Sequence, residues 1–278
     1  MLSHRGRRVA SAVYIKIVRS LMNITLSFDQ VKDKVTGFVW QHLLLIASLY
    51  VMTLGVALCV RSALGSSVIS TIPFVMTLAG ESGAVRALTI GEWTYVMNFA
   101  LVGLQLLIMR RKFEPVQLFQ LVIGFLFGWL LDVNMALTAA LPIAGPAAQC
   151  AAQVAGCVVL GIGIAFEIRC GSVTMPGEGL PAAISRKTGV LFAKTKICVD
   201  ICLVIGAVVL GYVFYGTWLW QVVGPGTLFA MIFVGWVVKL LTPHMQWFDG
   251  VVCYRPGFRR YIYGLARTIR YLTSSSHD

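Results

Sequence analysis

The sequence predicts an all-α polytopic membrane protein. It consists of two inverted-topology repeats, each with three spanning helices and one broken or re-entrant helix segment. Three observations predict this. Of 278 residues, 58% are hydrophobic and only 12% are charged, against about 25% charged in a typical soluble domain. Six stretches are long and apolar enough to span a bilayer, which takes about 20 apolar residues. Two further segments are apolar but interrupted, and they recur at the same place in each half.

The first 36 residues read as a basic amphipathic segment. Val13, Ile17, Leu21, Ile24 and Phe28 share a helical face, and Arg5, Arg7, Arg8, Lys16 and Arg19 lie among residues that include no acid. Such a helix lies on anionic lipid. Lys16 and Arg19 interrupt any signal-peptide core.

The first membrane repeat covers 37–145. Its spans are Phe38 to Val60, Glu92 to Met109 and Val116 to Thr138, with the short segment Ser66 to Ala79, holding Pro73, after the first. The second repeat covers 146–250. Its spans are Ala147 to Ile168, Ile197 to Tyr215 and Val222 to Leu241. Between the first two of these, Val173 to Ile184 holds Pro176, Gly177, Glu178, Gly179 and Pro181. Proline removes a backbone donor, and free backbone groups in hydrocarbon cost several kcal/mol each. That segment must therefore be re-entrant, interfacial or packed inside protein. Residues 251–278 form a basic tail in which Phe258, Ile262, Leu265, Ile269 and Leu272 fall on one face. Anionic headgroups are the expected partners of both tails.

Charge decides the number of crossings. With six spans only Arg61 and Arg86, of 23 bases, lie outside. With eight, Arg61, Arg110, Arg111, Lys112 and Arg169 lie outside. The positive-inside rule favours six, with both termini cytoplasmic.

The two halves match in register. Gly55 to Gly65 and Gly161 to Gly171 share one spacing, at an offset of 106. "FLFGWLLD" (Phe125 to Asp132) resembles "IFVGWVVK" (Ile232 to Lys239) at an offset of 107. With three crossings per copy, the second copy is upside down. Paired broken helices in inverted repeats mark the solute site of many secondary transporters.

The stretch "GVALCVRSALGSS" and its second copy "GIGIAFEIRCGSV" resemble the YczE/YitT type of bacterial integral membrane protein. The resemblance runs from about Phe38 to Met245 and rests on Arg61, Leu64, Gly65 and Pro73. It implies an inner-membrane protein of several helices whose activity is largely unassigned. The aspartate and tryptophan often found before the short helix in that family are absent here.

Candidate site residues follow from the breaks and from the charges at membrane depth. Arg61, Ser66, Ser67, Ser70 and Thr71 offer a cation and hydroxyls where an anionic group would meet a helix N-terminus. Glu178, between glycines in "MPGEGLP", reads as a solute-binding or proton-coupling carboxylate, or as an exposed loop acid. The repeat aligns Arg61 with Glu167 and Asp132 with Lys239. Arg61–Asp132 and Glu167–Lys239 then read as outer and inner gating ion pairs, with snorkelling as the alternative. Glu92 and Asp200 are further candidate coupling carboxylates. Gly124 and Gly128 read as a close helix contact, and Trp129 and Trp236 as packing or belt aromatics. The seven cysteines form no CxxC and no metal spacing with histidine, so no metal or cofactor is expected.

Two functions stay open. One is a secondary transporter of a small polar or anionic solute, with proton coupling as one mode. The other is a non-transporting scaffold or regulatory factor, for which the basic tails and the few strongly polar mid-span residues speak. No HExxH, no GxSxG and no acid-rich metal cluster points to an enzyme. Nothing points to nucleic acid: cytoplasmic loops beside anionic lipid explain the +12 charge.

Overall fold

The computed structural model describes Val35 and residues 37–110, 113–170 and 173–252. Both predicted tail helices, the Arg111–Lys112 pair and Gly171 lie outside the described residues. The described residues form α1 (Gly37–Arg61), α2 (Thr71–Glu81), α3 (Ile90–Met109), α4 (Phe119–Leu137), α5 (Pro146–Cys170), α6 (Pro176–Thr188), α7 (Phe192–Tyr215), α8 (Pro225–Leu241) and a short α9 (Gln246–Val251). The structure is all helix, and six of these elements are long and apolar enough to cross a membrane. They are the six predicted spans. α2, entered through a 3-10 turn at Val68–Ser70, and α6 fall on the two interrupted segments.

Local sequence explains the boundaries. α3 opens with a capping box: Thr89 Oγ1 accepts from Glu92 N at 3.1 Å, and Glu92 Oε2 accepts from Thr89 N at 2.9 Å. This satisfies two N–H groups that the helix itself leaves free. α6 and α8 open with proline at the first helical position, where its missing N–H is harmless. α7 begins at Phe192, ahead of the predicted Ile197. Ala193, Lys194 and Lys196 between them are good helix formers, and Thr195 Oγ1 donates to Pro181 O at 3.1 Å, tying that turn to α6.

α1 and α5 cross antiparallel at the centre. Met52 lies against Gly163, Gly55 against Gly156 and Leu160, and Cys59 against Cys157. A Cβ on Gly55 would stand 2.7 Å from Gly156 O, so the two backbones touch. Around this crossing α1, α4 and α5 build the main apolar core, with Leu49, Met52, Val56, Phe127, Leu131 and Leu160. α3 packs closely on α4, where a Cβ on Gly128 would meet Gly91 O at 2.5 Å. Trp129 and Trp236 stand exposed on the outer surface of the bundle, the side that lipid covers.

The two short helices share one pair of neighbours. α2 packs against α3 and α7, and α6 packs against α7 and α3. Each therefore sits between a long helix of its own half and one of the other half.

Candidate functional site

The starts of α2 and α6 meet. A Cβ on Gly177 would lie 2.5 Å from Ile69 Cδ1, so the missing side chain is what lets the turns touch. Val68, Ile69, Leu180 and Ile184 pack with Met97 and Leu101, halfway along α3, and with Val199 and Leu203, halfway along α7. Both short helices thus begin at the mid-length of the long ones. From there α2 leads to the N-terminus of α3, and α6 to the N-terminus of α7.

The serines of the first break seal it. Ser66 is fully buried, and its N–H and Oγ both donate to Val222 O, at 2.9 and 3.1 Å. Ser67 and Ser70 share a hydroxyl–hydroxyl bond of 2.8 Å, Ser70 Oγ also donates to Ser67 O at 2.9 Å, and Thr71 Oγ1 donates to Val68 O at 2.8 Å. The residues lie where the sequence reading placed them, beside the meeting point. Their hydroxyls are spent on backbone carbonyls of the same segment and, for Ser66, of the loop ahead of α8.

The proposed gates are not joined in this structure. Arg61 Nη2 donates to Met135 O at 2.8 Å. Asp132 accepts from Thr89 Oγ1 at 2.6 Å and from Gly91 N at 2.8 Å. Asp132 therefore anchors the start of α3, where an acid is favoured by the helix dipole. Glu92 is exposed and taken up by its capping box. In the second half Lys239 is exposed on α8, while Glu167 is buried, 3% exposed. Arg169 Nη2 donates to Thr242 O, at the end of α8. Arg61 and Arg169 thus each bond a backbone carbonyl near the end of a long helix, Met135 O on α4 and Thr242 O after α8, and Arg61 takes no part in an ion pair with Asp132, which the sequence reading set against it.

Charge gathers instead around the first turn of α6. Glu167 Oε1 accepts from Met175 N at 3.1 Å, next to the opening proline, and its Oε2 has no partner. Glu178 is in the same turn, in electrostatic range of Glu167 and of Lys196 and Asp200 on α7. Lys196 Nζ and Asp200 Oδ1 form an ion pair of 2.7 Å. Asp200 is thereby occupied by its own helix neighbour. Burial raises the Glu178 carboxyl above its ordinary pKa; Lys196 opposes this and Asp200 adds to it. Among the described residues, three acids face a single ammonium here.

Uncharged amides complete the interior, and the sequence reading missed them. Gln41, Asn98, Gln105, Gln120, Asn134 and Gln153 are all buried, which corrects the expectation of few strongly polar mid-span residues. Gln105 Nε2 donates to Gln120 Oε1 at 3.1 Å and to Pro176 O at 3.4 Å, against the start of α6. Gln120 also fills the space beside Gly179. Asn98, at the middle of α3, is fully buried with neither amide atom bonded. At the other end Gln153 is fully engaged, accepting from Ser62 Oγ at 2.6 Å and donating to Gly226 O at 2.8 Å. The available signal was the seven-residue spacing of Gly91, Asn98 and Gln105, one face of α3 turned to α4.

Residues 39–243 match the model of a family of unknown function, DUF6198. No curated protein and no solved structure matches the chain.

Proposed function

We propose, from the premise that the chain belongs to the DUF6198 family of unknown function, that it is a secondary transporter for a small polar or anionic solute. One observation carries this reading: the first turns of α2 and α6 meet midway along α3 and α7. Each helix N-terminus carries roughly half a positive elementary charge and N–H groups without intrahelical acceptors. Two such ends enclosed by protein attract an anionic group. Discontinuous helices in paired positions are also how many transporters build their solute site.

The contacts support an inverted repeat. Shifting Ile69 and Gly177 by 107 residues in opposite senses gives Pro176 and Ser70, the adjacent pair, so this contact sits on the axis exchanging the halves. The same exchange brings Arg61–Met135 close to Arg169–Thr242. It also swaps α3 and α7 as neighbours of the short helices. On this reading one half is the other turned over in the membrane, and the bias of the bases favours both chain termini on the cytoplasmic side.

The test is flux into proteoliposomes across a panel of small carboxylates, phosphate, sulfate and amino acids. At least one solute is taken up by the wild type. Gly177→Val lowers that uptake by about tenfold or more, a factor that corresponds to only about 1.4 kcal/mol of misfit. The added methyls press on Ile69 where the two turns meet. No flux for any solute, together with a cellular function that depends on the basic tails alone, would put the scaffold reading in its place.

A further inference from the structure

We infer that Glu167 is the proton-binding group of this protein, placed so that its protonation frees the start of α6 for an anionic solute. This rests on the transport reading above for its consequence, but not for its chemistry. The carboxylate is 3% exposed, and one of its oxygens has no hydrogen-bond partner. A buried carboxylate is costly unless it is paired or neutral. No ion pair to Glu167 occurs among the described residues.

The groups facing it explain why it takes a proton. On its own helix, the Cys170 thiol is close. From α6 comes the Glu178 carboxylate, a like charge. Lys196 and Asp200 on α7 lie beyond Glu178 and are bonded to each other. α1 offers the uncharged Ser48 and Gln41; Gln41 donates to Cys170 O and leaves its own Oε1 unpaired. His42, also on α1, bonds Phe38 O and stacks against Phe38 and Phe119. α8 turns Lys239 to the outside, and α9 contributes Phe248 and Val252 to the adjoining apolar core. A second acid and unpaired oxygen acceptors surround a site with no base in contact, so a proton is the ligand that neutralises it.

The position gives the proton something to do. In its charged form Glu167 holds the Met175 N–H, and with it the positive end of α6. Protonation removes the negative charge from that end. An anionic solute is then attracted to the same place, so solute and proton move together. Glu178 is less suited to this role because Lys196 already offsets its charge.

The experiment uses the full-length protein and its infrared difference spectrum between neutral and acidic pH. In the wild type, acidification brings up, besides the carbonyl stretch of the other carboxylic acids, the high-frequency carbonyl band of an acid oxygen without a hydrogen-bond partner, and this high-frequency band is the one followed. Glu167→Gln, which keeps an oxygen for Met175 N, removes that band, whereas Glu178→Gln retains it. A band that survives in E167Q, or that never appears in wild type, overturns the inference. If E167Q does not fold, Glu167→Asp decides: the band persists at a shifted midpoint, and an unshifted midpoint counts against Glu167. The same titration in sodium and in choline buffer gives the same band; suppression by sodium would make this a metal-cation site and overturn the proton assignment. In flux assays E167Q loses the acceleration of uptake by an inward proton gradient that the wild type shows. A wild type that moves no solute would sink the transport reading and leave the infrared result standing by itself.

Discussion

Gly55→Leu is expected to abolish the folded protein. A side chain on Gly55 has nowhere to go: its Cβ alone would stand 2.7 Å from both Gly156 O and Leu160 Cα, which are backbone atoms of α5. Neither can rotate away, so α1 and α5 have to separate. Separation would also pull Met52 from Gly163 and Cys59 from Cys157. Overpacking a core costs about 1–3 kcal/mol when side chains can adjust, and here the obstacle is main chain, so the loss lies at or above that range. The measurement is size-exclusion monodispersity and Tm in detergent. Gly103 is the control, since nothing lies within 4 Å of its Cβ. Gly103→Ala should leave the peak intact and raise stability by about 0.5–1 kcal/mol, the usual gain inside a helix. A monodisperse Gly55→Leu with unchanged Tm would refute the α1–α5 contact.

The second large effect is at Asp132. Asp132→Ala removes the acceptor of both Thr89 Oγ1 and Gly91 N at the start of α3. Hydrogen bonds to charged groups contribute about 1.5–3 kcal/mol each, so a net loss of about 3 kcal/mol is expected, read as a drop in Tm. Arg61→Ala gives up one bond, to Met135 O, and should lose less. The double mutant decides what the pair is for. The two side chains serve different partners in this structure, so their losses should add within about 0.5 kcal/mol. A coupling well above that would mean that Arg61 and Asp132 bond each other in another conformation of the protein, as a gate requires.

The spans were legible because an apolar run of that length has few other uses, and the two breaks because one run is too short to span and the other clusters prolines and glycines around a charge, which leaves backbone groups unsatisfied in a lipid-facing helix. The meeting of the breaks was expected from the proposed repeat, and Ile69 and Gly177 do lie together. The partners of individual charges were not legible: Arg61 and Arg169 each bond a backbone carbonyl, which a sequence does not reveal. Asp132 read as a gate because a sequence does not reveal that a loop threonine and a glycine N–H lie beside it. The serines read as ligand hydroxyls, yet backbone carbonyls beside them, which a sequence does not place, take the hydroxyls first. The buried amides escaped notice because one polar residue barely changes the mean hydropathy of a long apolar run and carries no charge to draw the eye. Only Asn98 and Gln105, on one face of α3 with Gly91, gave a sequence signal.

The tie between Ser66 and Val222 has a consequence for biosynthesis. These residues are 156 positions apart, so a ribosome completes the first break long before its partner exists. Gly226 N, which bonds Leu64 O at 2.9 Å, comes later still. The nascent amino-terminal half must therefore wait with an unpaired Ser66 N–H and an unpaired Leu64 carbonyl, shielded by water or by the insertion machinery, until the loop ahead of α8 emerges. Expressed alone, that half should be degraded; supplied in trans with the other, it should be rescued.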